Sequence, residues 1–144
     1  MSGRQTNFPT KWNILGSVAL LAFVTGCFGG NGYPKTAPVK GVITYKGKPL
    51  ADANVSFIPS GGRPASGTTN SNGEFELTTF VQGDGALPGE HHVLVQKFTQ
   101  PASDELYAEV KTAIPKKYSE IKTSPLRESI SKEGNVDLRI ELLD

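Results

Sequence analysis

The sequence predicts an all-β sandwich of about seven strands with one short helix. Three observations carry that expectation. Apolar and polar residues alternate over short runs, which is the two-residue period of a half-buried strand. Turn-forming residues separate the runs, and Gly and Pro number 16 and 10 in 144 residues. Apolar residues make up 37 % of the chain and charged residues 20 %, which suits one modest core rather than several.

The elements follow in order. Residues 39–45, VKGVITY, are rich in β-branched side chains and read as a first strand, and KGKPLADA after them reads as a turn-rich connection. Residues 54–59, NVSFIP, alternate Val55 and Phe57 with polar neighbours, and ASGTTN at 65–70 is a weaker, Thr-containing strand. Asn72-Gly73 is the strongest two-residue hairpin signal, because both residues tolerate positive φ. EFELTTF at 74–80 places Phe75 and Leu77 on one face and Glu74 and Glu76 on the other. VQGDGALPG reads as a loop, and EHHVLVQKF at 90–98 as an apolar-centred strand. A helix is expected over 104–113, capped by Ser103 and stopped by Pro115, and a further strand within 124–132. In VDLRIELL, 136–143, Val136, Leu138, Ile140 and Leu142 point one way, and Asp137, Arg139 and Glu141 the other.

The amino-terminal segment has a different character. Residues 1–13 are polar and carry Arg4 and Lys11, and residues 14–25, ILGSVALLAFVT, carry no charge. Twelve residues fall short of the roughly 20 that span a bilayer as a helix, and they match the basic and apolar regions of a secretory signal. The run is apolar all round, unlike a core helix with one buried face. Val24, Thr25, Gly26 and Cys27 then resemble the lipobox of bacterial lipoproteins: aliphatic, small, Gly or Ala, Cys. The resemblance implies diacylglyceryl transfer to the Cys27 thiol and signal-peptidase cleavage between Gly26 and Cys27, with further acylation of the new amino group. Cys27 is the only cysteine, so it has no disulfide partner, and lipidation accounts for its presence. Each buried methylene contributes about 0.8 kcal/mol, and two or three acyl chains give stable anchoring where one is marginal.

The expected organisation is therefore a lipoprotein signal peptide at 1–26, a lipidated cysteine and flexible tether at 27–38, and a β-sandwich domain at 39–144. Phe28 stands where some bacteria use Asp to retain lipoproteins at the inner membrane. By that analogy the expected location is the cell envelope, at the periplasmic side of the outer membrane or the cell surface.

Several stretches of the domain resemble the carboxypeptidase-regulatory-like domain, a transthyretin-like (prealbumin-type) β-sandwich. VKGVITYKGKPLADANVSFIP has its opening strand, Gly-x-Pro-Leu turn and second strand. SGTTNSNGEFEL places Thr69, Asn70, Gly73, Phe75 and Leu77 at its hairpin positions, and GALPGEHHVLV resembles the loop and strand that follow. The resemblance covers about residues 39–97, implies the fold, and names no site.

Function is narrowed mainly by exclusion. Without Arg4 and Lys11, 13 basic residues face 14 acidic ones, which is not the basic field of a nucleic-acid binder. His91 and His92 are adjacent on a strand and point to opposite faces, so they do not chelate one metal together, and one is expected to be half buried and the other exposed. Asp84, Asn72 and Glu74 lie in turns without the oxygen-rich spacing of a calcium loop. No G-x-S-x-G elbow occurs, and the chain ends IELLD rather than in the Tyr-Arg-Gly-Ser of the hydrolases that share the transthyretin-like fold. Lys40, Asn135 and Glu76 resemble the residue types of an intramolecular isopeptide bond, but Glu76 is expected on the wet face. Lys116, Lys117 and Lys122 surround Tyr118 and form either a solvated loop or a patch for anionic headgroups or an acidic partner.

The sequence thus leads to the expectation of a non-enzymatic envelope module with no metal or cofactor. It is held to the membrane through Cys27 and serves structure or protein interaction. The alternative is a polysaccharide-binding module using the loops 60–65 and 81–89. Its aromatic residues Tyr33, Tyr45, Tyr107 and Tyr118 are scattered, and Trp12 leaves with the signal peptide.

Overall fold

The computed structural model describes residues 32–99 and 111–144. Cys27, Gly26 and the whole signal segment lie outside the described residues, as do residues 104–110 of the expected helix. The described part is all-β. Its strands are β1 (Val39–Tyr45), β2 (Lys48–Pro49), β3 (Asn54–Pro59), β4 (Ala65–Thr68), β5 (Glu74–Glu76), β6 (Gly89–Gln96), β7 (Phe98–Thr99), β8 (Lys111–Thr112), β9 (Arg127–Ile130) and β10 (Asn135–Leu142).

The strands form a sandwich of two four-stranded sheets. In the first, β1 runs parallel to β10 on one side and antiparallel to β2 and β5 on the other. In the second, the order is β4-β3-β6-β9, all antiparallel. Alternation places Val39 and Ile43 of β1, Val55 and Phe57 of β3, Val93 and Val95 of β6, and Ile140 and Leu142 of β10 in the shared core. The Phe57 and Phe75 rings meet across it with centroids 6.1 Å apart, a tilted arrangement that aromatic pairs favour. Burying a side chain of that size contributes about 1.5–3 kcal/mol.

Four expectations are corrected. The strand expected over 74–80 ends at Glu76. Asp84 takes the N–H groups of Thr79, Phe80 and Val81 at 2.7, 2.9 and 3.1 Å, which withdraws them from any ladder. Secondly, the turn at Asn72-Gly73 forms with positive φ at Gly73 only, and the strands flanking it enter different sheets. The Asn70 side chain organises it by accepting the N–H groups of Asn72 and Glu74. Thirdly, Lys111 and Thr112, at the end of the expected helix, pair as strand with Thr99 and Phe98, and Pro115 precedes a 3-10 turn at Lys116–Ser119.

The fourth correction concerns β10. Ile140 and Leu142 are buried, but Val136 is 55 % exposed. Val39 pairs with Asn135 while Gly41 pairs with Leu138, so β10 carries one extra residue over that interval. A bulge of this kind shifts the inside-outside phase of the residues before it.

The packed unit also begins before Val39, upstream of the expected boundary. Ala37 is buried in the core and exchanges two backbone hydrogen bonds with Ala86, at 2.8 and 3.0 Å. Gly85, with φ of +86°, makes room for it: a Cβ there would lie 1.8 Å from the Ala37 carbonyl oxygen.

Candidate functional site

The outer face of the first sheet carries a groove of about 500 Å³. It exists because β5 and β10 flank β1, and each sends its even or odd residues outward by the strand period. The register sets Glu74, Val42 and Arg139 side by side, and Glu76 next to Lys40. Asp137 and Val136 line the β10 side, and Thr68 and Asn70 close the other.

Charges of opposite sign therefore sit next to one another on an apolar floor at Val42. Lys40 Nζ lies 2.9 Å from Glu76 Oε1, with the two side chains 53 % and 49 % exposed. Pairs so solvated contribute about 0–1 kcal/mol, so this contact orients side chains more than it stabilises the fold. Asn70 donates to Glu74 Oε2 at 2.8 Å. Arg139 and Asp137 belong to neither of the two ion pairs among the described residues, which are Lys40–Glu76 and Lys46–Asp144. An incoming peptide or glycan would meet one committed row of polar groups and one uncommitted row.

The residues singled out from the sequence take other places. His91 is fully buried rather than half buried; its Nε2 lies 2.7 Å from the Leu87 carbonyl oxygen and its ring packs 5.9 Å from Phe57. His92 is half-buried on the opposite face of the strand, as adjacency on β6 requires. Both Nδ1 atoms are buried without a hydrogen-bond partner. Glu128 pairs with His91 in register, and desolvation, then the nearby charge of Glu90, holds its carboxyl above its usual range. Among the described residues no group of three or more His, Cys, Asp or Glu side chains is placed to hold a metal.

Asp84 is committed to its turn. Partial burial pushes its carboxyl up, but the backbone N–H groups of Thr79, Phe80 and Val81 outweigh this and hold it below the ordinary value of 3.8. Lys40 and Glu76 do meet, but as a solvated ion pair. Asn135 is turned away to the β9–β10 turn, accepting the Ser131 N–H and donating to the Ser129 carbonyl. That arrangement leaves no shielded Lys-Asn-acid trio.

Lys116 and Lys117 sit at the end of the sandwich where β1 and β10 finish. There Lys117 lies over the Tyr118 ring at 5.0 Å, and the Tyr118 hydroxyl donates to the Leu143 carbonyl at 2.8 Å. Lys46, at the same end, bonds Asp144, which lowers the Asp144 carboxyl and raises the Lys46 ammonium.

The groove was not foreseen as a site. In the sequence Glu74, Glu76, Asp137 and Arg139 fall on the solvent half of their strands, Val136 is expected to face the core, and nothing local shows that β5, β1 and β10 are neighbours. Comparisons with models of protein families, with characterised proteins and with solved structures find no match to this chain. Among the described residues no helix is long and apolar enough to cross a membrane.

Proposed function

We propose that this chain is a non-enzymatic, lipid-anchored interaction module of the cell envelope, held through Cys27 and recognising an envelope protein with the outer face of its first sheet. The observation that carries the recognition reading is the groove between Thr68 and Arg139, where opposite charges alternate across β5, β1 and β10. Its carboxylates at Glu74 and Glu76 are already held by Asn70 and Lys40, an arrangement suited to reading a partner's charge pattern. The anchoring reading is supported by the run Val24-Thr25-Gly26-Cys27 behind an uncharged segment. The transthyretin-like resemblance remains part of this proposal, supported by Thr69 accepting the Ala53 N–H, Gly73 taking positive φ in the turn, and Phe75 and Leu77 lying in the core.

The test is crosslinking of the full-length protein in its own envelope, followed by identification of what is captured. One stoichiometric protein, lost with Arg139→Glu and with the mislocalised Cys27→Ala, is the expected result. Capture of polysaccharide without protein would replace this reading with the glycan-binding one. Capture unchanged by Arg139→Glu would remove the groove from it.

A further inference from the structure

The end of the sandwich at which β1 and β10 begin carries an amphipathic cluster that the groove does not involve. The Tyr33 and Phe80 rings stack with centroids 4.7 Å apart and 8° between planes. The Arg63 guanidinium lies 5.8 Å from the Phe80 centroid. Tyr33 is 58 % exposed and Val81 53 % exposed, so the cluster presents apolar surface to its surroundings. Lys35 beside it is exposed, Asp84 is turned inward onto backbone N–H groups, and the Glu76 carboxylate that lies beside Gly83 is paired with Lys40.

The approach of the chain to this end is constrained. Ala37 is bonded to Ala86 and Tyr33 is stacked on Phe80, so the segment before β1 is held against the loop containing Val81. Cys27 lies six positions before Tyr33. Even fully extended, six residues reach no more than about 20 Å, which is also roughly the length of β1. An anchor at Cys27 therefore keeps this end within about 20 Å of the lipid surface.

We propose that the loop end formed by Tyr33, Arg63, Phe80 and Val81 is a second membrane contact, resting on the anionic lipid surface to which Cys27 is attached. This inference rests on the lipid-anchoring reading above. The chemistry fits an interface: tyrosine places an apolar ring and a polar tip at headgroup depth, Val81 enters the boundary region, and Arg63 and Lys35 meet phosphates. The sandwich then stands end-on. The groove lies along its flank, and the basic residues Lys46, Lys116 and Lys117 face away from the bilayer.

The experiment uses the full-length acylated protein in vesicles of phosphatidylethanolamine and phosphatidylglycerol with brominated acyl chains. Trp12 is the only tryptophan and precedes Cys27, so in the processed protein a new tryptophan reports alone. Val81→Trp should lose about half its emission or more and shift to the blue, at the shallow depth of an interfacial contact. Leu143→Trp, at the opposite end and 56 % exposed in the parent, should lose none. Adding Arg63→Glu to Val81→Trp should reduce the quenching. In the unsubstituted protein, amide exchange of Val81–Gly83 should slow on vesicles relative to detergent.

Equal quenching at the two positions, or none at Val81→Trp in protein that floats with the vesicles, would overturn the proposal and leave anchoring intact. Val81→Trp emission that responds to envelope polysaccharide but not to lipid would make the same end a glycan platform instead. Protein that does not float with the vesicles would overturn the anchoring, and this orientation with it.

Discussion

Asp84 accepts three backbone N–H groups from residues three to five positions before it. Asp84→Ala would strand those donors at a partly buried site, so a loss of roughly 2–3 kcal/mol is expected by urea unfolding. The pH dependence has a defined sign. The folded-state carboxyl lies below its ordinary value of 3.8. Its contribution is therefore fully present above that value and is lost as the pH falls through the folded-state pKa. Stability of the parent should fall more steeply than that of Asp84→Asn below about pH 4, and equal acid slopes would show that Asp84 is not stabilised as the carboxylate. Thr69 is a second residue of this kind, because its buried hydroxyl oxygen accepts the Ala53 N–H at 2.9 Å. The sequence marked both positions as turn or strand residues, and the distant groups they satisfy were not visible in it.

At the scale of elements, β10 shows how a correct strand assignment still misplaces side chains. Its alternating pattern was legible, and the strand is found one residue earlier than expected at each end. The extra residue opposite β1 then turns Val136 outward, while Ile140 and Leu142 stay in the core. Ile140→Ala is expected to cost about 2–5 kcal/mol, as a buried truncation does. Val136→Ala is expected to fall within about 0.5 kcal/mol of the parent. Similar losses at both positions in thermal or urea unfolding would contradict the bulge. The strand after Asn72-Gly73 makes the same point, since its length is set by Asp84 competing for the backbone donors of residues 79–81.

For the whole molecule, the core is shared by two sheets whose closest aromatic contact is Phe57 with Phe75. The first strand pairs with the last, in parallel, so the first sheet is complete only when these two strands meet, and the second sheet shares its core. Both sheets should therefore unfold in one transition. Phe57→Ala should lower stability by about 3–5 kcal/mol, a large share of the roughly 5–15 kcal/mol typical of a domain. Coincident far-ultraviolet circular dichroism and tyrosine fluorescence curves are the expected observation. Two separated transitions would mean that the sheets are independent units.

The sequence by itself determined the all-β class, the positions of the main strands and the turn at Gly73, because alternation and turn chemistry are local and period-two patterns need no partner to be read. It also supplied the expectation of an anchor at Cys27, which lies outside the described residues. Tertiary structure alone decided which strands share a sheet, the phase of β10, the burial of His91, the docking of Tyr33 on Phe80 and the groove on the outer sheet face. Each of these depends on residues far apart in the chain meeting across a ladder or a core. Strand pairing is selected by the summed packing of the whole sandwich, and no short stretch of the sequence carries that sum.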